Sequence, residues 1–209
     1  VMLISHRYKF IFMRTEKTAG SSVSAVLVDA LGEDVIAPNM GRPAWARYSP
    51  IHHGALKRKL PQYFGLHSHA TAKQARLVFG SEVFDSYFKF AVERNPWERQ
   101  VSLYTHRQIK KNKSTETFDK DMRSFAYRNT EYVKLNNWSI YAIGNTVAVN
   151  QIIKYENLNS ELSELLEMLK IKAVVTLPRL RAYKPDRKHY SQYYSEISRN
   201  MIKRWYEKE

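Results

Sequence analysis

Lys17, Thr18, Gly20, Ser21 and Ser22 crowd into one polar segment, Arg14-Thr-Glu-Lys-Thr-Ala-Gly-Ser-Ser22, between an apolar stretch and a helical one. The chemistry this set suits is anion binding. A turn that opens a helix offers backbone N–H groups and the positive end of the helix dipole to a phosphate or sulfate. Gly20 lets the backbone come close, Lys17 adds a mobile charge, and the hydroxyls of Thr18, Ser21 and Ser22 can donate. A basic turn closed by a serine cap would use the same residues, so the segment does not decide alone. It is not a Walker A loop, which places Lys after its second glycine and a Ser/Thr next for magnesium. Here Lys17 precedes the segment's only glycine.

Arg94 heads a second set, in Phe88-Lys-Phe-Ala-Val-Glu-Arg-Asn-Pro-Trp-Glu-Arg-Gln-Val-Ser102. It ends a strand-like run, where α/β sheets place ligands. Asn95, Pro96 and Glu98 read as the cap, first position and third position of a helix, with Ser102 two turns along. The third set is Leu66-His-Ser-His-Ala-Thr71. Transfer to a hydroxyl needs a base that is neutral near working pH, and histidine is the usual one. His67 and His69, just ahead of a helix, are candidates for that role, although a histidine so placed is more often structural. His52 and His53, in a proline-containing stretch, rank behind. A His-x-His pair also suits a metal, but with no cysteine and no acidic ligand beside it the expectation is no metal site. Lys184-Pro-Asp-Arg-Lys-His-Tyr190 supplies Arg187 and Lys188, either for a phosphate or as a solvated charge run. Tyr155-Glu156 reads as structural.

The elements that must hold these residues follow from the apolar spacing. Residues 8–13 and 87–92 are apolar on both faces, as buried parallel strands are, and 147–155 reads as a third. Val23, Val26, Leu27, Ala30 and Leu31 mark a helix after the first strand, and Leu158, Leu162, Leu165, Leu166 and Leu169 another. Helices are also expected over 70–79, from Asn95 towards Arg107, over 118–132, and at the end with a face of Tyr193, Ile197, Met201 and Trp205. Residues 33–66 read as irregular, 110–117 as a mobile loop and 184–189 as a basic loop. The expectation is an α/β fold: a single domain, 1–209, with a central parallel sheet flanked by helices and a P-loop-like nucleotide-binding opening. The chain ends within a helical pattern, Ser195–Glu209, so the natural protein is expected to continue.

The charge narrows the partner. With 34 Lys+Arg against 20 Asp+Glu, the net charge is +14, which favours an anionic ligand. No cysteine is present, which excludes disulfides, thiolate catalysis and cysteine metal sites, and leans towards a reducing, cytoplasmic setting. No stretch has the roughly 18 consecutive apolar residues of a membrane span, and no signal segment opens the chain. Asn112-Lys-Ser and Asn137-Trp-Ser match a glycosylation pattern that is common by chance.

Lys17-Thr-Ala-Gly-Ser-Ser22 and Arg94-Asn-Pro-Trp-Glu-Arg-x-x-Ser102, in this order, resemble the two nucleotide-binding elements of sulfotransferases that use 3′-phosphoadenosine 5′-phosphosulfate (PAPS). The likeness is closest to the carbohydrate superfamily that includes the uronyl 2-O-sulfotransferases and its bacterial members. It implies that Lys17 contacts the sulfate and its bridging oxygen, that Thr18, Ala19, Gly20, Ser21 and Ser22 cradle the 5′-phosphate, and that Arg94 and Ser102 bind the 3′-phosphate. Arg187 or Lys188 would close over the nucleotide, and His69 or His67 would act as base, without metal. Glu16 departs from the pattern, where many members have proline. The resemblance implies PAPS as donor, adenosine 3′,5′-bisphosphate as product and a hydroxyl acceptor, an acidic glycan being favoured by the charge; no nucleic-acid partner is expected. The alternatives are a P-loop kinase-like phosphotransferase and a non-enzymatic polyanion or nucleic-acid binder.

Overall fold

The computed structural model describes residues 2–37, 66, 68–128, 135–177 and 188–209. Of the sequence candidates, His52, His53, His67 and Arg187 lie outside these residues, as does most of the stretch expected to be irregular. In chain order the elements begin with β1 (Leu3–Ser5), β2 (Phe10–Met13), α1 (Gly20–Leu31), α2 (Ala72–Phe79), α3 (Ser81–Ser86) and β3 (Phe88–Glu93). Helices α4 (Pro96–Lys110), α5 (Phe118–Arg123), α6 (Phe125–Arg128) and α7 (Trp138–Tyr141) follow. The chain then forms β4 (Ala142–Ile143), β5 (Thr146–Val147), β6 (Gln151–Lys154), α8 (Leu158–Met168) and α9 (Glu196–Trp205). These elements pack as two compact units, Val1–Glu93 with Ser139–Leu180, and Arg94–Trp138 with Arg181–Glu209.

The first unit is built on a four-stranded sheet ordered β1-β2-β3-β6. β2, β3 and β6 are parallel, with Phe12 opposite Phe90 and Val92 opposite Ile153, and β1 is an antiparallel edge. Phe10, Phe12, Phe90, Val92 and Ile153 form one core with Val23, Leu27 and Leu31 of α1 and Leu158, Leu162 and Leu166 of α8. The Phe12 and Phe90 rings stack at 5.0 Å. Ile11, Met13 and Ala91, which alternate with them, are buried as well, so β2 and β3 read as unbroken apolar runs. Lys89 is the buried exception, and its ammonium is satisfied by the carbonyls of Phe84 and Tyr87 (2.8 and 2.6 Å) at the end of α3. A cation at a helix C-terminus is favourably placed.

The second unit has its own core of Val101, Tyr104, Phe118, Met122, Leu135, Tyr193, Ile202 and Tyr206. Within it Arg99, fully buried, pairs with Glu209 and donates to the Leu135 carbonyl at 2.9 Å.

Three expectations change in detail. The strand expected over 147–155 divides: Val147 belongs to the β4–β5 hairpin, which turns at Gly144 (φ 62°), and β6 begins only at Gln151. The helix expected over 118–132 breaks at Ser124, whose extended backbone (ψ 147°) ends α5 and whose hydroxyl accepts from Tyr127 N–H to start α6. The last helix turns a different face inward: Ser198, Met201 and Ile202 are buried while Ile197 is 58% exposed. Ser195 caps α9 through Ser198 N–H, which leaves Tyr193 in a separate 3-10 turn. No described helix is long and apolar enough to cross a membrane.

Candidate active site

The turn between β2 and α1 holds Lys17 at φ 60° and Ala19 at φ 61°. Left-handed backbone costs a residue with a β-carbon about 1–2 kcal/mol, so something must hold it. Two buried hydroxyls do: Thr15 donates to the Val92 carbonyl at the end of β3, and Thr15 and Thr18 share a hydrogen bond of 2.7 Å. The Thr18 side chain is thereby committed to supporting the turn.

At the head of α1 the amides of Ser22 and Val23 turn back on the Ala19 carbonyl (2.8 and 3.1 Å). No side chain caps this helix and no acid sits in its first turn. The positive end of a twelve-residue helix therefore meets no carboxylate of its own, and the arrangement suits an anion. Ser21 and Ser22 are buried, and Lys17 and Glu16 half-buried. Gly20 is needed for a reason the sequence did not announce. A β-carbon there would lie 2.7 Å from Cγ and Nε of Arg14, whose Nη2 donates to Ser21 Oγ at 3.0 Å.

His69 comes to the same place. It precedes α2, whose start is fixed by a capping box between Thr71 and Gln74. Its Nδ1 is 3.0 Å from the Arg14 carbonyl oxygen. A carbonyl can only accept, so Nδ1 carries the proton and, in the neutral ring, Nε2 carries the lone pair. Arg14 thus meets Gly20 and Ser21 through its side chain and the imidazole through its backbone.

In the second unit, Asn95 caps α4 by accepting from the amides of Trp97 and Glu98 (3.0 and 3.4 Å). Its amide donates to the Tyr190 hydroxyl at 3.3 Å. Arg94, only 10% exposed, donates to Glu98 at 2.5 Å. Ser102, half-buried, stands one helical turn beyond Glu98, so Glu98 and Ser102 share a face of α4. Lys188 is exposed with its ammonium 4.5 Å from the Tyr193 ring centre, and Tyr190 packs on His189 at 4.3 Å. Among the described residues no cluster of His, Asp and Glu could hold a metal ion.

Arg14, Glu98 and Tyr190 are the contacts that sequence reasoning missed. Glu98 was within reach, four residues after Arg94 on a helix. Arg14 had no signal beyond its place at the strand end, and Tyr190 meets Asn95 across 95 positions.

A model of the sulfotransferase family matches residues 1–208. An uncharacterized protein of Archaeoglobus fulgidus is 31% identical over 93 residues, covering 43% of this chain and 73% of that protein. No solved structure matches. Since the family match spans residues 1–208, nearly the whole sequence, the chain belongs to the sulfotransferase family and its reaction class is sulfotransfer.

Proposed function

We propose that the chain transfers the sulfuryl group of PAPS to a hydroxyl of a carbohydrate acceptor, with His69 as general base. The observation that carries this reading is the hydrogen bond from His69 Nδ1 to the Arg14 carbonyl, which makes Nε2 the basic nitrogen beside the anion-binding turn. The residues present fit the donor: an uncapped helix start without acids, two left-handed residues and a half-buried lysine suit a phosphosulfate.

The acceptor oxygen forms a bond to sulfur as the bond from sulfur to the 5′-phosphate oxygen breaks. His69 Nε2 takes the acceptor's proton. Lys17 and the amides of Gly20 and Ser21, ahead of those taken by the Ala19 carbonyl, are assigned to the charge that builds on the departing phosphate oxygen, the kind of preorganised stabilisation that contributes most in such sites. Arg94, oriented by Glu98, and Ser102 are assigned to the 3′-phosphate, with Lys188 and Arg187 as further contacts. The products are the sulfated acceptor and adenosine 3′,5′-bisphosphate, and no metal takes part. The surplus of positive charge favours an acidic glycan as acceptor.

The test is transfer of labelled sulfate from PAPS to a panel of glycans in the presence of EDTA. Wild-type protein is expected to label at least one uronic-acid glycan. His69→Ala is expected to lose about 10²–10⁴ in turnover, as for a positioned base, while keeping its affinity for adenosine 3′,5′-bisphosphate. Full activity in His69→Ala moves the role of base to another residue, His67 first. Loss of transfer on chelation, restored by magnesium, overturns the metal-free reaction.

A further inference from the structure

Away from the residues assigned to transfer, α4, α5 and α6 of the second unit enclose a groove of about 630 Å³. That volume lies in the range of sites for small ligands. Its walls carry Arg107, Lys111 and Lys113 against one carboxylate, Asp121. The carboxylate is already engaged, since the hydroxyls of Tyr104 and Thr117 both donate to it, Thr117 at 2.9 Å. Burial, and then the bond to Asp121, push the Tyr104 hydroxyl up to about 12, so it stays a donor. The groove is therefore cationic towards a ligand.

A second feature says more about the ligand. The Gln108 side-chain oxygen is buried and has no hydrogen-bond partner among the described residues, although buried acceptors are nearly always satisfied. It asks for a donor, which a sulfate does not bring and a phosphate brings only through a proton it retains. A molecule bearing both anions and hydroxyls answers both demands at once.

We propose that this groove binds a segment of an acidic saccharide, with its carboxylate or sulfate groups on Arg107, Lys111 and Lys113 and a sugar hydroxyl on the Gln108 oxygen. The choice of a saccharide over another polyanion rests on the carbohydrate reading of the acceptor. The groove holds the chain to be sulfated by its charge pattern and takes no part in the bond changes, so it affects KM and not the chemical step.

The test is calorimetry on the whole chain with three probes: a hexasaccharide containing uronic acid, its carboxyl-reduced neutral counterpart, and a DNA single strand of equal charge. The acidic hexasaccharide is expected to bind at low salt, with the neutral one at least tenfold weaker. Arg107→Gln with Lys111→Gln is expected to weaken the acidic hexasaccharide by about tenfold or more, as lost charge-assisted hydrogen bonds do. Adenosine 3′,5′-bisphosphate should bind this double variant as it binds the wild type. Gln108→Met should weaken the saccharide and leave DNA unchanged. Undiminished saccharide binding by the double variant overturns the site, and DNA binding as tightly as the saccharide overturns the assignment of ligand. Failure of the donor reading has a separate signature, a wild-type chain that does not bind adenosine 3′,5′-bisphosphate.

Discussion

The side chain of Arg14 lies across the bare Cα of Gly20, so closely that a β-carbon on Gly20 would stand 2.7 Å from Cγ and Nε of the arginine. Gly20→Ala must therefore displace Arg14 and break its bond to Ser21 Oγ. An arginine can swing aside, so the stability loss is expected at the low end of overpacking, about 1 kcal/mol. The affinity for adenosine 3′,5′-bisphosphate should fall with it. In an Arg14→Ala background the same alanine should cost almost nothing, because the clash is gone. Thermal melts of the four proteins measure this coupling, and additive losses would show that Arg14 and Gly20 act apart.

Arg94, proposed to bind the 3′-phosphate, is held in an ion pair by Glu98. Arg94→Ala is expected to weaken adenosine 3′,5′-bisphosphate by about 2–4 kcal/mol, the size of a lost charge-assisted contact. Adenosine 5′-phosphosulfate, which lacks the 3′-phosphate, should bind almost as before. Equal losses for both nucleotides would make Arg94 a support of the fold.

Arg99 and Glu209 form an ion pair whose side chains are 0% and 1% exposed. Glu209 also accepts from Trp138 N–H at 2.9 Å, and the guanidinium of Arg99 lies 4.7 Å from the Tyr206 ring centre. Removing one partner of a buried pair strands the other, so Glu209→Ala should cost about 3–5 kcal/mol in urea unfolding. Arg99→Met combined with Glu209→Leu should recover much of that. A double variant no better than the single one would locate the stability elsewhere.

Asp119 accepts from the Ser195 amide and from the hydroxyls of Ser195 and Ser198. Burial pushes its carboxyl up, but these bonds and Arg123 outweigh burial, and the net effect holds it below the ordinary carboxylate value. A lowered value means that the stabilisation is complete above the unfolded carboxylate's pKa of about 3.9 and is lost as pH falls through the folded one. Wild-type stability should therefore fall more steeply below about pH 4 than that of Asp119→Asn. Parallel acid limbs in urea unfolding from pH 2.5 to 7 would remove Asp119 from the account.

Much of the architecture was legible because apolar spacing and caps are local signals. Phe10–Met13 and Phe88–Glu93 announce a sheet buried on both faces, and Asn95-Pro96 announces α4 to the residue. The edge strand Leu3–Ser5 escaped notice, being three residues long and defined by its pairing with β2. The inward face of α9 was misjudged because its start depends on Asp119, far away in the chain. For the candidate site, residue types and order marked the turn and Arg94, and the family resemblance added His69. They gave no means of seeing that the Thr18 hydroxyl is spent on Thr15, or that Arg14 meets both Ser21 and the imidazole. Those are matters of three-dimensional proximity, with 55 positions separating Arg14 from His69.

The left-handed backbone of Lys17 and Ala19 has a bearing on how such a chain can change over time. Free energy is held back at two neighbouring positions of the turn, so the fold is less stable than glycines there would make it. The β-carbons that carry this strain also stiffen the turn in the unliganded protein. Selection for heat resistance favours glycine at these two positions, whereas selection for a turn already shaped for the anion proposed to bind it favours the residues present. The two pressures act in opposite directions on the same few backbone angles.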